Sequence, residues 1–215
     1  MVFEVNISWL GHSCFRIADC QGRVVVTDPF DETVGYEVPH VRADVVTVSH
    51  EHFDHNNVDA IEGDPVVVRG LGTHTASGIE FMGISTYHDD EGGKLRGVNT
   101  VFCFRMDDIR VCHLGDLGHI LSKKEANALE EVDLLMIPVG GVFTLDAEGA
   151  KKVIKQLSPR IVIPMHFKTE ALKFDVEGAE RFLEGLDAEH PGHKINLFRE
   201  DLPVEGIRTI VLDYK

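Results

Sequence analysis

The stretch VVTVSHEHFDHNN, residues 45–57, runs a β-branched apolar segment into three histidines and an aspartate within six positions. Val and Thr favour the pleated surface of a strand. Side chains two apart share a face in an extended segment but point roughly 200° apart on a helix. Read as a strand end, His50 and His52 are therefore placed to reach one ion, and Asp54 continues their face. His55 points away unless the chain turns at Asp54, a good N-cap for a short helix through Asn56, Asn57 and Val58. Such a turn would set His55 beside a second ion. The zinc-protease pattern H-E-x-x-H is excluded, because an aspartate stands at position 54 where it needs a histidine. Three imidazoles and a carboxylate repel on protonation and crowd without an ion, so the spacing points to a metal. The isolated His40, His74, His190 and His193 are read as surface residues.

Working outward, other strands end the same way. Asp28 follows RVVVT, His88 follows GISTY, His113 and Asp116 follow IRVC, and His166 follows IVIPM. Ligand-type residues at strand ends, on loops over a rigid sheet, are where binding and catalytic groups gather. The first half is a series of short β-rich runs broken by Gly, Asp or Pro. Later, Ser122 to Glu125 form a capping box opening SKKEANALEE, and Asp146 and Asp175 are expected N-caps. Apolar stripes follow the last two: Ala147, Ala150, Val153, Ile154 and Leu157, then Val176, Ala179, Phe182, Leu183 and Leu186. Between the helices, VDLLMIPVGG and RIVIPMHF read as strands covered on both faces, so the second half alternates strand and helix.

The 215 residues carry no composition shift or linker and are expected to form one domain, 1–215. With 21 basic against 36 acidic residues the net charge is −15, which disfavours a nucleic-acid partner. No segment reaches the length of a membrane span, and MVFEVNISWLGHSCF lacks the layout of a secretion signal, so the expectation is a cytoplasmic protein without a membrane partner. The four cysteines, 14, 20, 103 and 112, form no CxxC pair and are expected to be buried free thiols.

HEHFDH has the H-x-H-x-D-H form of the metallo-β-lactamase superfamily, and the chain resembles that superfamily from WLGHSCF to IPMHF. GHSCF, PVGGVFT and PMHF are similar in style to its small L-ascorbate-6-phosphate-lactonase-like hydrolases. The resemblance implies an α/β, four-layer αββα sandwich with its site on one edge between the sheets. It makes His50, His52 and His88 ligands of one metal, Asp54, His55 and His166 ligands of the other, and Asp116 the bridge. It gives Asp28 the role of orienting ligands by hydrogen bonds. It also prefers His88 over His113 as the third histidine, leaving His113 to pack behind the site.

Imidazole and carboxylate ligands suit Zn²⁺, with Mn²⁺ and Fe²⁺ as alternatives. Two ions about 3.5 to 4 Å apart can share a hydroxide at neutral pH. The expectation is therefore a dinuclear hydrolase cleaving an ester, lactone or phosphoester of a small molecule. Asp54 would move the water's proton, and His119 or His12 would serve the leaving group. Lys94 and Arg96 suit an anionic substrate group, and Gly140 and Gly141 would let backbone N–H groups approach it. The competing readings are a nuclease or phosphodiesterase of the same fold, redox chemistry at an iron pair, and a non-catalytic metal- or ligand-binding protein. Assembly into a homo-oligomer is compatible with the exposed strand edges.

Overall fold

A computed structural model describes residues 4–129 and 131–214. Along the chain come β1 (Glu4–Gly11), β2 (Cys14–Ala18), β3 (Val24–Thr27), β4 (Val45–Val48) and β5 (Val66–Arg69). Next are β6 (Gly72–Ala76), β7 (Ile79–Tyr87), β8 (Val98–Met106) and β9 (Ile109–His113). Then α1 (Lys123–Ala128), β10 (Leu134–Pro138), α2 (Ala147–Leu157), β11 (Ile161–Met165) and α3 (Glu180–Leu183) alternate. The chain ends with β12 (Ala188–Glu189), β13 (Lys194–Phe198) and β14 (Arg208–Ile210). Among the described residues the strands form a six-stranded sheet, β13-β1-β2-β3-β4-β5, and an eight-stranded one, β12-β14-β11-β10-β9-β8-β7-β6.

Pattern explains placement. In β1, Val5, Ile7 and Trp9 alternate inward, whereas every residue of β3, β4, β10 and β11 is buried, as parallel strands covered on both faces must be. The main core fills the space between the sheets and continues under α2, whose Ala147, Ala150 and Val153 are buried. A smaller cluster, including Val26, Phe30, Tyr36, Val46 and Leu172, covers the other face of the six-stranded sheet. That outer layer is thin, built from loops and a 3₁₀ turn at Val58–Ala60.

Direction matters most for the site. Strands β3 and β4 run parallel, as do β9, β10 and β11; β1 and β7 each reach a parallel partner through one antiparallel neighbour. The carboxyl ends of β1, β3, β4, β7, β9 and β11 therefore face one edge of the sandwich.

The caps at Ser122 and Asp146 form as expected: Ser122 Oγ accepts from Glu125 N, and Asp146 Oδ1 accepts from Gly149 N at 2.7 Å. Asp175 is not an N-cap. Lys168 N donates to Glu177 O and Glu177 N to Gly140 O, which holds this segment extended, so α3 begins only at Glu180 and Leu186 is exposed. Nor does Asp54 cap a helix. The turn is closed by His55 N donating to His52 O, and the 3₁₀ turn follows with Asn57 at its cap position. All four cysteines are free, but Cys20 is half-buried, with Sγ 3.3 Å from Asp107 Oδ1.

Candidate metal centre

The edge just described gathers the expected donors. Their ligand atoms fall into three groups, each within 4.8 Å: His50, His52 and His88; His12, Asp54, His55 and His166; and His50, His55 and Asp116. Asp116 lies among the rest, with Oδ2 at 3.9 Å from His50 Nε2, 3.2 Å from His55 Nε2, 3.1 Å from His88 Nε2 and 3.4 Å from His166 Nε2. Except for His52, which stands at the mouth, these side chains are buried.

The local backbone is built to deliver them. Asp28 and His166, each one residue beyond a strand, take φ of 38° and 54°. That left-handed conformation is unfavourable for side-chain-bearing residues and tends to cluster at functional sites. His12 (φ 53°) follows Gly11 (φ 107°) where the β1–β2 register shifts, and its carbonyl accepts from Trp9 Nε1 and His166 N. At Gly140 a Cβ would stand 2.1 Å from His166 O, so only glycine lets β10 pass so close to the end of β11.

Hydrogen bonds behind the rings fix their tautomers. Asp28 accepts from Ser49 N at 2.8 Å, Ser49 Oγ at 2.5 Å and His55 Nδ1 at 2.9 Å. Because Ser49 gives its one proton to Asp28, it accepts from His50 Nδ1 at 2.9 Å. His88 Nδ1 donates to Phe143 O at 3.0 Å. His50, His55 and His88 thus each hold a proton on Nδ1 and turn Nε2 toward one carboxylate oxygen, His50 Nε2 lying also 3.0 Å from His52 Nδ1. His55 Nε2 and Asp116 Oδ1 are buried without hydrogen-bond partners. With neutral imidazoles, lone pairs would face lone pairs in a dry site and repel unless a cation lay between them, so this donor set fits a metal.

Protonating the rings does not answer the charge uniformly. Burial, with His55 next to it, pushes His50 down to about 3, and burial together with His166 pushes His12 down to about 4. Burial works against ionising Asp116, yet His166 and His55 hold its carboxyl well below the usual range. His55 shows the opposite balance: burial lowers it, but Asp116 and Asp54 raise it well above an ordinary imidazole.

The remaining expected residues stand behind, beside or away from this cluster. His113 is buried beneath the site with Nε2 donating to Ser13 O at 2.8 Å. His12 donates from Nε2 to Asp54 Oδ2 at 3.2 Å, so it meets the site through Asp54 instead of facing the cavity. His119 does not reach the cavity. Its Nε2 accepts from Tyr87 N and its Nδ1 donates to Ile120 O, which occupies both nitrogens with main chain. Lys94 projects into solvent beside Glu91, whereas Arg96 does line the cavity. Gly141 N donates to Leu145 O at 3.0 Å, so this N–H is not free for a ligand, and Gly140, packed on His166, is outside the cavity lining.

Two positioning residues were not anticipated. Ser49 was hidden by its rank as one more polar residue before the cluster. Asn99 donates to Thr86 Oγ1 and Leu114 O and accepts from Asp116 N at 3.0 Å, fixing the turn that carries Asp116. A lone asparagine inside the apolar run VNTVFCF was its available signal, since a buried amide needs partners.

Fold and site together define a class, two sheets in an α/β sandwich with an imidazole–carboxylate metal centre on the shared carboxyl edge. The Beta-lactamase superfamily domain model matches residues 6–166, and the chain belongs to this family, the metallo-β-lactamase superfamily. It is similar to a Thermotoga maritima protein assigned as a Zn-dependent hydrolase of that superfamily, with 37% identity and a TM-score of 0.81 over 97% of this chain and 98% of that one. A UPF0173 metal-dependent hydrolase of Methanoculleus marisnigri is 29% identical over 208 residues, covering 84% of this chain and 89% of its own. CmlA, a diiron β-hydroxylase of Streptomyces venezuelae, shares the fold alone: 16% identity and a TM-score of 0.64, over 90% of this chain and 54% of that one. These matches reach the superfamily and not the lactonase-like subtype. Among the described residues no helix is long and apolar enough to cross a membrane.

Proposed function

We propose that the chain is a dinuclear metal-dependent hydrolase, zinc being the default ion, that cleaves an ester, lactone or phosphoester of a small molecule. The observation that carries this reading is the convergence of three Nε2 atoms, from His50, His55 and His88, on Asp116 Oδ2, each ring held from behind through Nδ1. His50, His52 and His88 would hold one ion, and Asp54, His55 and His166 the other, with His12 beside them and Asp116 between. When bound, two such ions supply Lewis acidity that makes water nucleophilic at neutral pH and polarises a carbonyl or phosphoryl group. The names of the Thermotoga and Methanoculleus relatives support the hydrolytic class.

The chain's own residues supply orientation and a path for a proton. Asp28 holds His55 directly and His50 through Ser49, keeping both rings in one tautomer. Asp54, at the cavity floor, accepts from His12 Nε2 on Oδ2, which orients the carboxylate and leaves its other oxygen to take the water's proton. The buried surroundings of Asp116 exclude water from one side of the reacting centre. The test is hydrolysis of generic ester, lactone and phosphodiester substrates after metal reconstitution. His50→Ala and Asp116→Ala should each abolish measurable turnover; undiminished rates in both would refute the reading.

A further inference from the structure

Above the donor cluster is a cavity of about 260 Å³ whose floor includes Asp54, His88, Asp116 and His166 and whose walls are Phe53, Phe143, Phe174 and Arg96. The three rings come from three separate loops. Phe53 lies inside the histidine cluster, Phe143 follows β10, and Phe174 sits in the extended segment before α3. They meet edge to face, with Phe53–Phe174 centroids 6.2 Å apart and Phe143–Phe174 centroids 6.4 Å apart. Phe53 is 51% exposed and Phe143 38%, unusual for large apolar side chains gathered around a polar centre. Arg96 adds a fourth flat wall: its guanidinium carbon lies 5.4 Å from the Phe143 ring centroid, and Nη2 donates to Val142 O at 3.1 Å. Apart from Arg96 in the wall and His52 at the mouth, the polar lining side chains are on the floor.

This division of surfaces bears on the substrate. An apolar cavity of about 150 Å³ is enough to take up benzene, so the space here admits one ring together with a reacting group. A hydroxyl-rich substrate would press most of its hydroxyls against three ring faces that offer no partner, with Arg96 the one donor in the walls, and so would lose hydrogen bonds to water without full replacement. We propose that the group beside the scissile bond is aromatic, or equally flat and apolar, and is held among Phe53, Phe143 and Phe174. Hydroxyl-rich sugar phosphates are correspondingly disfavoured. This deepens the hydrolase reading and rests on it for the scissile bond, but the binding preference is measurable without turnover.

Calorimetry on the zinc-loaded protein with phenylacetate and methoxyacetate, which share a carboxylate and differ in the ring, tests the preference directly. Phenylacetate should bind about tenfold more tightly or better. The Phe53→Ala/Phe174→Ala double variant should erase that advantage, and Phe53→Tyr should keep it. Equal affinity in the unmodified protein, or an advantage that survives the double truncation, overturns the proposal. The ethyl esters of the same two acids report on the reaction. Absence of turnover with the binding preference intact would count against ester hydrolysis while supporting the aromatic pocket. Equal turnover and equal binding would do the reverse. Where turnover occurs, the double variant should act mainly by raising KM for the phenyl ester, as expected for lost substrate binding.

Discussion

At the scale of single residues, Asp28 does more than any one of the rings it supports. Its two oxygens accept three hydrogen bonds, and through them the imidazoles of His50 and His55 lose the freedom to choose a tautomer. Such partners behind metal ligands typically govern affinity by about 10- to 100-fold. Asp28→Ala should therefore weaken zinc binding by about that factor, read by competition with a chromogenic chelator. Ser49→Ala, which removes only the His50 branch, should lose less; an affinity unchanged in both would show that the tautomers are set elsewhere. Metal removal is the complementary test. A ligand that binds only the folded chain stabilises it by about 4 kcal/mol at a thousand times its Kd. Chelated protein should accordingly melt several degrees lower in a calorimeter and recover with added zinc, whereas coincident melting curves would speak against a resident ion.

At the scale of elements, the site depends on how closely strand ends and loops pass one another. Gly140 abuts the His166 carbonyl, and Gly118 lies where a Cβ would come within 2.4 Å of the main chain of His88 and Asp89. Backbone cannot yield as the tip of a flexible side chain can. Gly140→Ala should thus destabilise the fold by about 1–3 kcal/mol, the usual range for overpacking, and displace His166 so that metal affinity falls with stability. The N-cap of α2 offers a contrast. Asp146→Ala removes the acceptor for Gly149 N and should cost about 1 kcal/mol by denaturant titration. Asp146 belongs to none of the donor groups, so zinc affinity should hold in that variant. If both variants lose affinity in proportion to stability, the close approach at Gly140 has no special role. The loop after His88 is also organised from within: Asp89 accepts from the backbone N–H groups of Glu91, Gly93, Leu95 and Arg96. That arrangement, more than the charge of Lys94, brings Arg96 to the cavity wall.

At the scale of the molecule, the legible features are those that repeat. Asp28, His50, His88, Asp116 and His166 could be picked out because each follows a regular apolar strand, and strands whose carboxyl ends face one edge bring such residues together. Less could be read where the pattern is short or the contact distant. Strand β6 is mostly exposed, β14 has three residues, and β12 has two, too little for a period to register. His119 carried the right chemistry but folds onto the main chain of β7, while Phe53 and Phe174 meet only in space. Because the donor groups draw on both sheets, HEHFDH cannot be self-sufficient, and metal stoichiometry tests this. His166→Ala leaves that motif intact and removes a donor from the group with His12, Asp54 and His55, so elemental analysis should find about one zinc per chain instead of two. Asp116→Ala removes the oxygen that faces both groups and should deplete both positions. Far-UV circular dichroism matching the parent protein would separate loss of ions from loss of fold. Two retained equivalents in Asp116→Ala would mean that the local cluster holds its ions without the eight-stranded sheet's carboxylate, and the shared-edge account of the site would fail.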